Sequence, residues 1–186
     1  MKFFLSMNFL ISVMPVYDCT LWQILKASDK RKSSLLGGML SKSPTNIPVK
    51  LRIKIIDLIL DGLIYIQSQG VCHLDIKPSN IMMNKNGSAW DEHTLVIADF
   101  GISAPVDGLT GRRCGTPGFG SPEQFIGTPS RMSDNYSFGK LIILVLFQWN
   151  RGWNMLAQPL SPGQDPATKQ LPHIRAIIST LLSVSY

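Results

Sequence analysis

Cysteine, acidic residues and long apolar runs are all scarce in this chain of 186 residues. Three cysteines, Cys19, Cys72 and Cys114, stand far apart with no CxxC pair among them. That spacing argues against a zinc site and a disulfide framework, and it fits a reducing, intracellular (cytoplasmic) setting. Only 12 acids face 18 Lys and Arg, and much of the excess sits between Lys26 and Lys54. No aromatic interleaving accompanies those cations, so they read as a solvated face, and no nucleic-acid partner is expected. The run LIILVLF, Leu141 to Phe147, is far short of the ~20 residues that span a bilayer. No membrane partner is expected either. At the N-terminus, Met1-Lys2 followed by FFLSMNFLISVM has the charged and apolar parts of a secretory signal. No small-x-small cleavage site comes after it, and Pro15 and Tyr17 come where one would stand. A buried strand is the expectation, with a signal peptide as the alternative. Internal repeats and low-complexity tracts are absent.

The chain has enough apolar material for one core: 45% of residues are hydrophobic, and the length is too short for two ordinary domains with linkers. Asn8 to Val16 reads as a buried strand and Thr20 to Lys26 as a short helix whose first hydroxyl can cap it. Ala27 to Asn46, rich in Ser, Lys and Gly, reads as a surface loop. From Pro48 to Gln69 the residues Leu51, Ile55, Leu58, Tyr65 and Ile66 fall on one helical face, with Gly62 on the same stripe and Gly70 at the exit. Two short strands, Ile81 to Met83 and Leu95 to Ala98, flank Asn86-Gly87 and suggest a hairpin. The segment Ile102 to Ile126 is too irregular for one element, which in a compact domain points to function or disorder. Ser133 is expected to cap a helix, apolar nearly all round, that runs through the core to Phe147. Gln148 to Pro172 reads as a loop, and His173 to Val184 as a final amphipathic helix.

The chemistry concentrates in HLDIKPSN, His73 to Asn80. A tight loop there can aim the Asp75 carboxylate, the Lys77 ammonium and the Asn80 amide oxygen at one point. Phosphoryl transfer needs that set: a carboxylate for the attacking hydroxyl, a cation for the moving phosphate and an oxygen ligand for magnesium. The same residues also suit a turn whose Asp and Asn bond their own backbone. A second acid, Asp99, closes the strand Leu95 to Ala98 and is followed by Phe100 and a permissive Gly101, a placement suited to holding a metal beside Asn80.

HLDIKPSN followed by DFG resembles the catalytic and magnesium-binding loops of the eukaryotic protein kinases. Two further motifs separate this chain from the aminoglycoside and choline kinases, which share only the first. CGTPGFGSPE, Cys114 to Glu123, resembles the kinase segment that ends in Ala-Pro-Glu and receives the peptide. SDNYSFG, Ser133 to Gly139, resembles the start of the central helix of the large lobe. The implied fold is mainly α (α+β), the large C-terminal lobe of a protein kinase, a helical bundle with short β-hairpins.

By this resemblance Asp75 is the catalytic base, Asn80 and Asp99 are the magnesium ligands, and Lys77 contacts the γ-phosphate of ATP. Thr116 bonds with Asp75 and Lys77, the serine/threonine-specific pairing, so the implied partner is a protein with an accepting Ser or Thr. Val13, Met14 and Val16 stand at the hinge that holds the nucleotide. His73 and Phe100 stack in an apolar column anchored on Asp134. Met82 is open between two roles, floor of the adenine pocket and plain core.

Departures from the family are as informative. Leu74 replaces the Arg that pairs with an activation-loop phosphate, and Arg112 stands where many relatives carry the phosphorylated Thr. Any activity is therefore expected to be independent of phosphorylation at Thr110. No G-x-G-x-x-G loop, no V-A-I-K-like lysine and no partner glutamate precede the hinge, and the Arg that would pair with Glu123 is missing. Residues 1–186 are thus expected to be a partial kinase domain, hinge and large lobe, weak or inactive in isolation. The competing expectation is a pseudokinase-like scaffold or interaction module.

Overall fold

The computed structural model describes the backbone of residues 2–6, 9–29, 47–86 and 89–147, and the side chains of 14–26, 47–84 and 94–146. Strands β1 (Lys2–Ser6) and β2 (Phe9–Val13) form an antiparallel hairpin. The strand expected over Asn8 to Val16 thus ends three residues early, and its burial lies outside the described side chains. Strand β3 (Cys19–Thr20) leads straight into helix α1 (Leu21–Asp29). Thr20 Oγ1 accepts the Gln23 amide at 3.3 Å, and Gln23 Oε1 accepts the Thr20 amide at 2.9 Å. This reciprocal pair is a capping box, and it satisfies two backbone donors that the first turn would otherwise leave orphaned.

Helix α2 (Val49–Ser68) follows Pro48, whose missing N–H costs nothing at a helix start, and ends ahead of Gly70 at φ 71°. It buries Arg52, Ile55, Ile59, Leu63 and Ile66. The buried stripe is therefore rotated from the expected one: Tyr65 is 66% exposed, because it sits about 100° around the helix from Ile66. Gly62 does permit close approach, since a Cβ there would come within 2.9 Å of Ile97 Cδ1 on a neighbouring strand.

The chain then forms β4 (Val71–Cys72), the loop with a 3-10 turn at Pro78–Asn80, and the hairpin β5 (Ile81–Asn86) and β6 (Ala89–Ile97). Both hairpin strands are longer than expected, with Asn86 opposite Ala89, and β3 adds to the β5 edge with Thr20 opposite Met82. Strand β7 (Ala104–Pro105) pairs with β4. The long segment expected to be irregular contains this strand, a 3-10 turn at Val106–Gly108 and the short helix α3 (Pro122–Ile126).

Helix α4 (Met132–Phe147) is buried on nearly every side: Phe138 and Leu141 through Val145 are all in the core with α1, α2 and β5 residues. A helix apolar all round has nowhere else to go. Its N-terminal cap lies one turn earlier than expected, since Ser130 Oγ accepts the Met132 amide at 3.1 Å while Ser133 Oγ reaches back to the Ser130 amide at 3.1 Å. Arg52 ties the two long helices together. Its Nε donates to Ile47 O at 2.7 Å and its Nη1 to Leu146 O at 2.6 Å, placing a cation at the carbonyl end of α4.

The described residues are mixed helix and sheet, with helices predominating. Among them no helix is long and apolar enough to cross a membrane. The loop expected over residues 148–172, the helix over 173–184 and most of the loop over 27–46 lie outside the described residues.

Candidate active site

Helix α2 delivers β4 and the HLDIKPSN loop onto the start of α4, and the loop is pinned from below. Asp134, fully buried, accepts the His73 amide at Oδ2 and the Leu74 amide at Oδ1, both at 2.7 Å. Burial holds Asp134 above the usual carboxylate range, and the two backbone bonds offset only part of that rise. These bonds hold Leu74 at φ 67°, a left-handed conformation that costs a non-glycine residue ~1–2 kcal/mol. The Leu74 side chain fills a small apolar cluster with Cys72, Ala104 and Leu109.

His73 is buried as well, and its ring bridges the two loops. Nε2 lies 3.0 Å from Ala98 O, and Nδ1 accepts the Asp75 amide at 3.3 Å. That pairing assigns the proton to Nε2. Burial lowers the His73 pKa, opposed by the nearby acids and the bond to Ala98, which keeps the ring neutral. The ring packs against Phe100 with centroids 4.7 Å apart and planes at 55°, as expected. Phe100 is nonetheless 41% exposed.

Four side chains converge above this base. Asp75 Oδ2 accepts Lys77 Nζ at 2.7 Å and Asn80 Nδ2 at 3.1 Å, and Asp75 Oδ1 accepts the Thr116 hydroxyl at 2.6 Å. Lys77 Nζ also donates to Thr116 Oγ1 at 2.8 Å. Burial alone would raise the Asp75 pKa, but the bonds from Lys77, Thr116 and Asn80 outweigh it and lower the value. Asp75 is therefore held as an anion. Asn80 spends both side-chain donors inward, on Asp75 O at 2.9 Å and on Asp75 Oδ2, which leaves its amide oxygen as the atom available to a cation.

Asn80 O accepts the Ala98 amide at 2.8 Å, and Asp99 is the next residue along. Asp99 is exposed at φ 66°, and its Oδ1 accepts the Gly101 amide at 3.2 Å. Gly101 suits that turn, since a Cβ would come within 3.1 Å of the same oxygen. One amide oxygen and one solvent-facing carboxylate are hard donors, a set that fits Mg²⁺ when phosphates and waters complete the shell. Among the described residues no cluster of three or more His, Cys, Asp or Glu could cage a metal alone.

The remaining expected residues are less engaged. Met82 is half-buried on β5, with Thr20 and Val96 as its cross-strand partners. Met14 is half-buried, Val16 is 92% exposed, and the side chain of Val13 lies outside the described residues. Neither Met14 nor Val16 is hydrogen-bonded to the Asp75 cluster. Arg112 Nη2 donates to Ile102 O at 3.3 Å. Glu123 Oε1 accepts the Ser133 hydroxyl at 2.9 Å, while its buried Oε2 has no hydrogen-bond partner among the described residues.

Sequence reasoning passed over two positions. Ser103 Oγ donates to His73 O at 3.1 Å. Gln124, fully buried, donates from Nε2 to Leu74 O at 2.7 Å. For the second there was a signal, the S-x-x-Q capping pattern of Ser121 and Gln124.

In sequence the chain is similar to known proteins. Residues 20–156 match the family described as protein kinase domain. A probable serine/threonine-protein kinase of Dictyostelium discoideum is 35% identical over 112 residues, 58% of this chain and 25% of that protein. CBL-interacting serine/threonine-protein kinase 1 of Arabidopsis thaliana is 30% identical over 141 residues, 69% of this chain and 30% of the relative. A MAP kinase kinase of Saccharomyces cerevisiae is 38% identical over 94 residues, 50% of this chain and 17% of that protein. The chain thus spans about a quarter of the length of such relatives.

Proposed function

Since this chain belongs to the protein kinase family, we propose that it is the hinge and large C-terminal lobe of a serine/threonine protein kinase that moves the γ-phosphate of ATP to a protein hydroxyl. The observation that carries this reading is the Asp75 carboxylate bonded at once by Lys77, Asn80 and Thr116. A turn that only satisfied its own backbone would not recruit Thr116 from a segment 41 residues away.

Asp75 orients the incoming Ser or Thr hydroxyl and accepts its proton as the new P–O bond forms and the bond from the γ-phosphorus to the bridging oxygen breaks, releasing ADP. Its lowered pKa suits a loose transition state, in which alignment of the nucleophile matters more than base strength. Lys77, joined to Asp75 and Thr116, neutralises charge on the transferred phosphoryl group. Thr116 places the peptide-receiving segment against that pair, the arrangement of serine/threonine kinases. Asn80 and Asp99 would hold Mg²⁺, which supplies charge neutralisation of the nucleotide phosphates. Val13, Met14, Val16 and Met82 would line the adenine side. A glycine-rich G-x-G-x-x-G loop and a V-A-I-K-like lysine, motifs that this sequence lacks, would complete the phosphate site.

The test is transfer of label from γ-labelled ATP to mixed Ser/Thr and Tyr peptide pools, with and without Mg²⁺. Weak transfer, to Ser/Thr alone, is expected, falling on the order of 10²–10⁴-fold in Asp75→Asn. Transfer undiminished by Asp75→Asn would refute the assignment. Magnesium-independent nucleotide binding with no transfer would favour a scaffold.

A further inference from the structure

Gln124 makes more contacts than a helix cap needs. Its Oε1 accepts the Ser121 amide at 2.9 Å and the Ser121 hydroxyl at 3.3 Å, closing the cap of α3. With the oxygen so engaged, the amide nitrogen faces the catalytic loop and donates to Leu74 O at 2.7 Å, passing 3.9 Å from Cys114 Sγ. The backbone joins in, because the Cys114 amide donates to Gln124 O at 3.3 Å. One fully buried residue thus links three places: the start of α3, the strand of chain leading to Thr116, and the peptide unit immediately before Asp75.

Two further observations show that the surroundings are shaped for this amide. Gly115 has φ 105°, and a Cβ there would lie 2.8 Å from Gln124 Nε2, so a larger residue would displace it. Leu74 sits at φ 67° with its N–H held by Asp134. Its carbonyl is the other half of the same strained residue, and Gln124 holds it.

We propose that Gln124 is a positioning residue, which clamps the Thr116 segment onto the Asp75 loop with no modification of the chain. The proposal rests on the reading of this chain as a kinase lobe. Leu74 has a buried apolar side chain and offers no charge to a phosphate, so the link between the two segments passes through a neutral amide instead. Asp75 and Thr116 are then kept in register whenever α3 is folded.

Two variants separate this clamp from the cap. Gln124→Glu keeps an acceptor for Ser121 but has no donor for Leu74 O. Gln124→Met keeps the length and has neither. The readouts are the Leu74 carbonyl ¹³C resonance, the far-UV spectrum and the split between kcat and KM in peptide phosphorylation. Loss of one hydrogen bond should move the carbonyl resonance and lower kcat about five- to tenfold with KM for ATP unchanged. If burying a new carboxylate unfolds Gln124→Glu, the neutral Gln124→Met variant removes clamp and cap together, and kcat per folded molecule, with the folded fraction taken from the far-UV spectrum, separates the two. An unmoved resonance with kcat within about twofold, or a loss that tracks the folded fraction alone, overturns the clamp. Should the unmodified chain neither transfer phosphate nor bind nucleotide with Mg²⁺, the functional reading fails, and the carbonyl resonance alone decides on the clamp.

Discussion

Replacing Asp134 by Asn should unseat the catalytic loop while changing almost no volume. The carboxylate accepts two backbone amides at 2.7 Å, one on each oxygen. Asn keeps a single acceptor, so one buried N–H then faces an NH₂ group. Losing a bond to a charged acceptor costs ~1.5–3 kcal/mol, and the orphaned donor adds ~1–3 kcal/mol. Against this, the neutral side chain escapes the desolvation that raises the Asp134 pKa, which recovers part of the loss. A net destabilisation of about 2–4 kcal/mol is expected, out of the ~5–15 kcal/mol typical of a folded domain. Urea denaturation followed by far-UV circular dichroism measures it, with an unchanged m-value showing that the same unit unfolds. Asp99→Asn is the control, since that exposed side chain meets only the Gly101 amide. It should lie within ~0.5 kcal/mol of the parent. If Asp134→Asn matched the control, the two amide bonds would not be what holds Leu74 in its left-handed state.

Gly62→Ala gains ~1 kcal/mol of helix propensity. It also drives a methyl to 2.9 Å from Ile97 Cδ1, an overpacking cost of ~1–3 kcal/mol. A net loss near 1 kcal/mol is expected, cancelled by adding Ile97→Val, and a failure of that rescue in thermal melts would place the strain elsewhere. His73 has its pKa lowered from 6.5 by burial, so below that value the unfolded chain binds a proton that the folded one refuses. Stability from this group is present at pH 7 and lost as pH falls from 6.5 toward the folded value. The denaturation midpoint should drop between pH 7 and 5 and flatten over that window in His73→Gln. An equal slope in both would exclude His73 as the titrating group. Burial, with Asp134 adding to it, pushes the Cys72 thiol to about 11, and Cys19 is buried too, whereas Cys114 is half-exposed. A disulfide reagent at pH 8 should therefore label Cys114 promptly and the other two only on unfolding. Fast labelling of Cys72 would contradict the packing.

How much of this was legible depended on the range of the interactions. Asp75, Lys77 and Asn80 lie within six residues, so their contacts are nearly fixed by the local turn, and the motif announces them. The apolar surround of α4 likewise dictates burial without knowledge of its neighbours. The rotation of α2 did not follow from composition, because Leu51, Leu58 and Tyr65 are apolar enough to suit either of two overlapping stripes. The choice fell to packing against β6 and α4, with Arg52 drawn inward by the carbonyls of Ile47 and Leu146. Ser133 was the obvious cap by residue type, yet Ser130 reaches the free amide first. Gln124 was hidden for a different reason. Its capping pattern is local, but the carbonyl it serves lies 50 residues upstream, and no pattern in the sequence links those two positions.

The two sides of the candidate site are held to different degrees. Leu74 and Asp99 are the only described non-glycine residues with positive φ, and each stands at the root of a carboxylate with a role in the proposed reaction. Leu74 is fully buried, with its N–H bonded by Asp134 and its carbonyl by Gln124, so its strain is offset by two hydrogen bonds from the core. Asp99 is exposed, and its side chain has a single bond to Gly101. Asp tolerates the left-handed region better than Leu does, so less is needed to keep it there. Asp75, the proposed base, therefore follows a residue held by buried hydrogen bonds, and such preorganisation is what electrostatic alignment needs. The carboxylate proposed to meet the cation, Asp99, is instead exposed, as suits a metal that arrives with its nucleotide and retains waters. A loop at Asp75 tied to the core beside an exposed Asp99 is the arrangement that this backbone supports.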